Sequence, residues 1–253
     1  MRVALCQIDT TTKREVLEKV EFLVRNHSAD VFLFPELLTT GYKNVKENAE
    51  DINGESLSFL KNLSMETGKA LVFSIALRME GGIYNTAFFI LGERLFYYSK
   101  THLFKPLGEA EIFKPGKSLK IFETEVGGSS FKFSLQICYD LRFPESFRKL
   151  ALNGVKLVFI PAQWPLARVG VWRSMLVSRA AENGIFIIGC NRVGEENGII
   201  YGGNSSIVSP SGEVLLMLGE RESFAVVDID LGEVEKARKR INVLEDIVDL
   251  DLE

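Results

Sequence analysis

Short apolar runs alternate with amphipathic segments along most of the chain. Residues 13–25 place apolar side chains at helical spacing, whereas 30–35 is almost entirely apolar, as in a strand covered on both faces. The pattern predicts strands at 2–7, 30–35, 69–77, 83–91, 94–99, 120–125, 130–137, 156–161, 185–190, 202–209, 213–217 and 224–229. It predicts helices at 13–25, 54–67, 144–153, 171–183 and 232–241.

The two halves of the chain share one order of elements: a strand, a helix, a buried strand and a loop with polar residues. We therefore expect an α/β protein of the α+β type, in which two sheets pack face to face and helices cover each sheet. The length of 253 residues suits a single domain spanning 1–253. The acidic end, 245–253, is expected to form a tail.

Composition narrows the function classes. Hydrophobic residues make up 46% and charged residues 25%, as in ordinary globular proteins. The net charge of −4 argues against a nucleic-acid partner, and the basic cluster 236–240 suits a solvated helix face. No run approaches roughly 18 apolar residues, so we expect no membrane span. The GxGxxG motif is absent, and 114–118 (KPGKS) lacks the first glycine of a phosphate loop, so no cofactor is predicted.

The cysteine and histidine content argues against disulfides and metals. Three cysteines, Cys6, Cys138 and Cys190, give no disulfide framework, which favours a reducing, cytoplasmic location. Only two histidines occur, His27 and His102, and neither CxxC nor HxxxH is present. We therefore predict that the protein has no metal site.

The stretch 133–145 (FSLQICYDLRFPE) carries the strongest candidate chemistry. An apolar run ends at Cys138, and Pro144 suits the first turn of the helix that follows. Backbone N–H groups at a helix start favour a thiolate and can bind an oxyanion, so Cys138 is a candidate nucleophile. The alternative for a lone cysteine at a strand end is a buried structural role.

Glu36 and Lys100 also directly follow apolar strands. The carboxyl ends of strands form the ligand crevice of open α/β sheets, which favours grouping these residues with Cys138. Glu36 can act as a general base and Lys100 can stabilise an oxyanion, although either can instead be solvated at the sheet rim. His102 is the other candidate base, but its apolar neighbours favour a structural histidine. The aperiodic segment 100–116 predicts a long loop, and such loops are often functional.

Three segments in order resemble those of the nitrilase superfamily of carbon–nitrogen hydrolases. They are FPELLTTGY at 34–42, SKTHLF at 99–104 and ICYDLRFPE at 137–145. The resemblance covers nearly the whole chain. It implies a four-layer α-β-β-α sandwich of two mixed sheets, and a homodimer or a higher homo-oligomer.

The resemblance also implies a role for each catalytic residue. Glu36 would be the general base and then the general acid, Lys100 the oxyanion stabiliser and Cys138 the nucleophile. Many members carry a second glutamate seven residues before the glycine of a Pro-Gly pair. That position is Glu109 here, although Glu111 is close enough to be confused with it.

Within the superfamily, the segments CYDLRFPE and AQWP and the residue Trp172 resemble the ω-amidase-like branch. That branch removes the terminal amide of small carboxylate-bearing amides such as α-ketoglutaramate, through a cysteine thioester. An N-carbamoyl-amine hydrolase or a nitrilase with the same triad is the enzymatic alternative. The non-enzymatic alternative is a catalytically silent interaction module.

Five residues are candidates for substrate binding under this resemblance. The backbone N–H of Tyr139 would be the second oxyanion donor. Arg142 can bind a substrate carboxylate or can instead pair with a neighbouring acidic residue. Trp164 and Tyr42 can form pocket walls or core packing, and Arg168 is a second candidate for an anion.

Overall fold

In the computed structural model, residues 1–248 are described, so the predicted tail 245–253 lies partly outside the described residues. The strands are β1 (Arg2–Gln7), β2 (Val31–Leu33), β3 (Ala70–Met79), β4 (Gly82–Leu91), β5 (Arg94–Ser99), β6 (Phe122–Val126), β7 (Ser129–Leu135), β8 (Leu157–Ala162), β9 (Phe186–Asn191), β10 (Glu195–Glu196), β11 (Ile199–Ile200), β12 (Ser206–Val208), β13 (Val214–Met217) and β14 (Ser223–Asp228). The α-helices are α1 (Lys13–Asn26), α2 (Val45–Asn48), α3 (Glu55–Thr67), α4 (Glu109–Ile112), α5 (Pro144–Leu152), α6 (Val169–Ala181) and α7 (Glu233–Arg240).

The two large sheets repeat one arrangement of strands. The first has the order β14-β1-β2-β3-β4-β5, and the second has the order β13-β12-β9-β8-β7-β6. In each sheet three neighbouring strands run parallel, β1-β2-β3 in one and β7-β8-β9 in the other. The remaining pairs are antiparallel. The expectation of two mixed sheets with similar halves is confirmed.

The inner faces of the two sheets pack against each other around Phe89 of β4. Its ring centroid lies 4.6 Å from that of Phe133 on β7 and 5.9 Å from that of Phe159 on β8. All three side chains are fully buried. Burial of one such side chain stabilises the fold by about 1.5–3 kcal/mol, so this aromatic cluster holds the two halves together.

Helices cover the outer face of each sheet. Along β1, Val3 and Leu5 belong to the core between the sheets, whereas Ala4 and Cys6 pack with apolar side chains of α1 and α3. A capping box at Thr12 begins α1. On the other side, α6 lies so close to β9 that a Cβ at Gly189 would be 2.7 Å from the Trp172 ring. The four-layer α-β-β-α sandwich is therefore confirmed.

The structure differs from the sequence prediction in several local segments. The segment 100–116 is not a structureless loop, because it contains a 3₁₀ turn at Lys105–Leu107 and the short helix α4. Strand 202–209 shortens to β12, since Gly203 and Asn204 adopt left-handed backbone angles. The hairpin β10–β11 was not predicted, although its turn is Asn197-Gly198, a strong hairpin signal. Within residues 1–248, no helix has the length and apolarity needed to cross a bilayer.

Candidate active site

Glu36 lies just beyond β2 and is completely buried. Its Oε1 accepts hydrogen bonds from Lys100 Nζ at 2.8 Å and Asn85 Nδ2 at 2.7 Å. Its Oε2 accepts from the backbone N–H of Gln163 at 2.9 Å. The Asn85 amide is itself oriented, because Ser74 Oγ donates to its Oδ1 at 3.0 Å. These donors hold the carboxylate in a single orientation.

Lys100 directly follows β5 and is also completely buried. Its Nζ lies 2.8 Å from Glu36 Oε1 and 2.7 Å from Glu109 Oε1. Burial alone would lower the pKa of Lys100, but the carboxylates of Glu109 and Glu36 raise it above its ordinary value. An ammonium has three N–H donors, so one remains for a ligand after these two contacts.

Glu109 and Glu111 lie in different environments. Glu109 begins α4 and is fully buried, and its Oε1 accepts hydrogen bonds from Tyr42 OH and Lys100 Nζ. Glu111 is exposed. Burial raises the pKa of Tyr42, and the charges of Glu109 and Glu36 raise it further. Tyr42 therefore stays protonated and donates to both carboxylates.

Cys138 occupies a strained position between β7 and α5. The strand ends at Leu135, earlier than predicted, and Cys138 begins a 3₁₀ turn with a left-handed φ of 43°. Such a conformation costs about 1–3 kcal/mol for a residue other than glycine and clusters at functional sites. Asp140 braces the turn, because its Oδ2 accepts from Ile137 N at 3.0 Å and from Tyr98 OH at 2.9 Å.

The helix start, which was expected to favour a Cys138 thiolate, does not decide the protonation of this sulfur. Burial raises the pKa of the Cys138 thiol well above its usual value, and the charge of Glu36 raises it further. The ammonium of Lys100 lowers this pKa without overcoming the other effects. The resting sulfur is therefore a neutral thiol, and a base has to remove its proton.

His102 lies beside the site and not in it. Its Nδ1 is 2.8 Å from Asp140 Oδ1, and its ring stacks on Phe143 with centroids 3.6 Å apart. It does not line the pocket that contains Cys138. The structure thus agrees with the structural interpretation of this histidine.

Cys138 and Lys100 open into one narrow pocket with a cavity volume of about 20 Å³. Its lining consists of Tyr42, Lys100, Phe104, Leu107, Cys138, Tyr139, Arg142, Gln163, Trp164, Pro165 and Arg168. All five residues that the sequence offered for substrate binding are among them.

Two guanidinium groups face this pocket. Arg142 lies over the ring of Trp164 at 5.0 Å, and Arg168 lies over the ring of Phe104 at 5.1 Å. Within residues 1–248, neither arginine forms a salt bridge, so the alternative pairing of Arg142 with Asp140 or Glu145 is not observed. Cations next to a catalytic pocket and without a protein carboxylate are suited to an anionic ligand.

Sequence reasoning missed Asn85 and Gln163. Each donates to Glu36, and both are buried. The available signal was a polar residue within, or two positions after, a run predicted to be a buried strand, where an unpaired amide would be unfavourable. Within residues 1–248, no group of three His, Cys, Asp or Glu side chains is placed to hold a metal ion.

The family follows from comparison with known proteins. The model of the carbon–nitrogen hydrolase family matches residues 2–239, so the chain belongs to this family of hydrolases. A 2-oxoglutaramate amidase from Bacillus subtilis is 37% identical over 240 residues, covering 92% of this chain and 91% of the relative. The resemblance to the nitrilase superfamily and its ω-amidase-like branch is confirmed, as is the prediction of a carbon–nitrogen hydrolase.

Two further relatives indicate how far the likeness extends. A protein from Pyrococcus abyssi named nitrilase is also 37% identical over 242 residues, covering 90% of this chain and 88% of its own. A solved structure of a CN-hydrolase superfamily protein from Xanthomonas campestris, with an arsenic adduct in its active site, superposes with a TM-score of 0.90. It is 27% identical and covers 100% of this chain and 99% of its own.

Proposed function

We propose that this protein is an amidase that hydrolyses the terminal carbon–nitrogen bond of small, carboxylate-bearing amides, with α-ketoglutaramate as the reference substrate. The observation that carries the proposal is the buried ammonium of Lys100, which contacts Glu36 and Glu109 and shares a pocket with Cys138. The 2-oxoglutaramate amidase relative supports the same substrate class.

In the first half of the proposed reaction, Glu36 removes the proton from the Cys138 thiol and the sulfur attacks the amide carbon. The free N–H of Lys100 and the backbone N–H of Tyr139 stabilise the oxyanion. Glu36 then gives the proton to the departing nitrogen, and the carbon–nitrogen bond breaks to release ammonia. The acyl group remains on Cys138 as a thioester.

In the second half, Glu36 takes a proton from a water molecule, which attacks the thioester carbon. The carbon–sulfur bond breaks, the acid leaves and the proton returns to the sulfur. Glu109 keeps Lys100 in place through both halves and does not contact the substrate. The buried and oriented carboxylate of Glu36 suits this double role, since several fixed donors hold it in one position.

Substrate selection is assigned to Arg142, with Arg168 as a second cation at the same pocket. A guanidinium binds a carboxylate through two parallel hydrogen bonds, and Arg142 has no competing carboxylate in the described part of the chain. A cation–π contact with the ring of Trp164 holds the guanidinium of Arg142 in place. Tyr42 donates to the carboxylates of Glu36 and Glu109 and also forms part of the pocket wall.

An ammonia-release assay over matched substrates tests the proposal. The panel contains α-ketoglutaramate, a neutral amide of equal length, an N-carbamoyl amine and a nitrile. We expect the highest kcat/KM for the carboxylate-bearing amide and no turnover by Cys138→Ala. Preference for the nitrile or the carbamoyl compound would assign the site to one of those reactions instead.

Arg142→Ala separates recognition from chemistry in the same assay. Loss of one charged contact should lower kcat/KM for α-ketoglutaramate roughly 10- to 100-fold. The neutral amide should be hydrolysed as well as by the wild-type protein. An unchanged kcat/KM for the anionic amide would show that Arg142 does not bind the carboxylate.

Assembly and location form a secondary part of the proposal. We propose one hydrolase domain spanning 1–253, a homodimer or higher homo-oligomer, and a cytoplasmic location. Apolar side chains at the surface support self-association, among them Leu152 on α5 and Ile241 after α7, which are 53% and 68% exposed. Light scattering of the purified protein would test the assembly, and a monomer at micromolar concentration would contradict it.

A further inference from the structure

Arg192 is a buried cation outside the catalytic pocket. It follows β9 directly and is 2% exposed. Its guanidinium donates to Asp9 Oδ1 at 3.0 and 3.1 Å and to Glu196 Oε2 at 3.1 Å, and it lies over the ring of Tyr201 at 4.6 Å. It does not line the pocket, so its role cannot be direct substrate binding.

Two glycines make room for the carboxylates that hold Arg192. A Cβ at Gly194 would lie 2.1 Å from Asp9 Oδ2, and a Cβ at Gly41 would lie 2.5 Å from Glu196 Oε1. Both glycines also adopt left-handed backbone angles, which a side chain would strain. The surrounding backbone is therefore built around this cluster of charges.

Gln163 connects Arg192 to Glu36. Its Oε1 accepts from Arg192 Nη1 at 3.0 Å, and its Nε2 donates to the backbone carbonyl of Glu36 at 2.7 Å. Because a guanidinium can only donate, it fixes which end of the amide faces it. The same residue presents its backbone N–H to Glu36 Oε2 at 2.9 Å. The cation thus orients the residue that clamps both the backbone and the carboxylate of Glu36.

A second connection reaches the other carboxylate oxygen of Glu36. Glu196 Oε2, which accepts from Arg192, also accepts from the backbone N–H of Tyr42 at 3.0 Å. The Tyr42 hydroxyl in turn donates to Glu36 Oε1 at 3.2 Å and to Glu109. Glu196 lies on β10, so the β10–β11 hairpin, which was not predicted, positions the carboxylate that links Arg192 to Tyr42.

We infer that Arg192 is a positioning residue for the general base Glu36, acting through Gln163 on one side and through Glu196 and Tyr42 on the other. This inference rests on the proposed function. The three nitrogen atoms of the guanidinium donate hydrogen bonds in one fixed plane, and the single ammonium of a lysine cannot replace all of these donors. A displacement of about 1 Å in a reacting group can reduce the rate by roughly 100-fold.

Two variants test the inference: Arg192→Lys, which keeps the charge, and Gln163→Leu, which keeps Arg192 and its two carboxylates. For Arg192→Lys we expect kcat to fall roughly 100-fold with KM unchanged. The acidic limb of the kcat/KM profile should move to higher pH, because Glu36 loses an oriented donor. Gln163→Leu should move this limb in the same direction. Leu63→Ala, a core substitution in α3, is the matched control for lost stability and should leave kcat per folded molecule unchanged.

Unchanged kcat and an unchanged acidic limb in both variants would overturn the inference. The inference would also be overturned if each variant lost activity only in proportion to its lower melting temperature, as Leu63→Ala does. If the wild-type protein releases no ammonia from any amide, the proposed function fails, but alkylation of Cys138 by iodoacetamide still tests the positioning. A displaced Glu36 should move the alkylation midpoint of Arg192→Lys to lower pH, and an unmoved midpoint would count against Arg192.

Discussion

Lys100 Nζ is nearly equidistant from Glu36 Oε1, at 2.8 Å, and Glu109 Oε1, at 2.7 Å. The three side chains are completely buried, so none is stabilised by bulk water. A buried ion pair requires hydrogen-bond partners for its polar atoms. Here Lys100 donates to both carboxylates, and the hydroxyl of Tyr42 is a further donor to them. A thiolate at Cys138 would add more negative charge to this group. Burial of the sulfur, and then the charge of Glu36, therefore keep the resting thiol protonated.

Glu109→Gln should lower kcat roughly 100-fold, because Lys100 loses one of its two carboxylates and can move toward Glu36. A glutamine keeps the size of the side chain, so the fold should be retained. Steady-state ammonia release, normalised to folded protein, measures the effect. The matched control is Glu111→Gln, since Glu111 lies two residues away and is exposed. Equal activities of the two variants would contradict the assigned position of Glu109.

Alkylation of Cys138 should respond in opposite directions to its two charged neighbours. Burial raises the pKa of this thiol most, the charge of Glu36 raises it further, and the charge of Lys100 lowers it. Glu36→Gln should therefore move the pH midpoint of iodoacetamide labelling down, and Lys100→Met should move it up. Mass spectrometry separates Cys138 from Cys6 and Cys190, which are fully buried. Shifts in the same direction would show that the electrostatic account is wrong.

Much of the fold could be predicted, because its central strands are apolar runs covered on both faces. The periodic segment that became α1 and the run that became β2 were both identified. Short elements were missed for a physical reason. Helix α4 has four residues and is placed by the contacts of Glu109, so no periodicity can reveal it. The hairpin at Asn197-Gly198 did carry a local signal.

For the site, the sequence indicated Glu36, Lys100 and Cys138 because each follows an apolar strand. It did not indicate Asn85, which lies on β4. The pairing of β4 with β3 brings Asn85 close enough to donate to Glu36. The state of the Cys138 thiol was also missed. That state depends on how deeply the sulfur is buried and on how many carboxylates surround it, and neither is a local property of the sequence.

Gly116 should not tolerate a side chain. A Cβ there would lie 2.1 Å from the backbone oxygen of Ser99, and Gly116 N donates to Lys100 O at 2.8 Å. Gly116→Ala should lower the free energy of unfolding by about 1–3 kcal/mol and reduce kcat by displacing Lys100.

Gly170→Ala is the matched control for this substitution. Gly170 lies in α6 with open space at its Cβ position, so alanine should stabilise the protein by up to about 1 kcal/mol. Urea unfolding measures both variants. Similar stabilities of the two proteins would contradict the steric account of Gly116.

The buried cysteines should make the protein less stable at alkaline pH. Burial raises the pKa of Cys190 to about 12, whereas the unfolded thiol has a pKa of about 8.5. Between these values only the unfolded state loses the proton. The free energy of unfolding should therefore fall by about 1.4 kcal/mol per pH unit for this thiol, with no loss below pH ~8.

Cys190→Ala isolates this contribution. Removal of the buried sulfur lowers the free energy of unfolding by the same amount at every pH. Removal of its titration makes the decline of this free energy with pH shallower, by up to about 1.4 kcal/mol per pH unit. Urea unfolding of both proteins between pH 8 and pH 10.5, with a reductant present, separates the offset from the slope. Parallel curves for the two proteins would show that Cys190 does not keep its proton in the folded state.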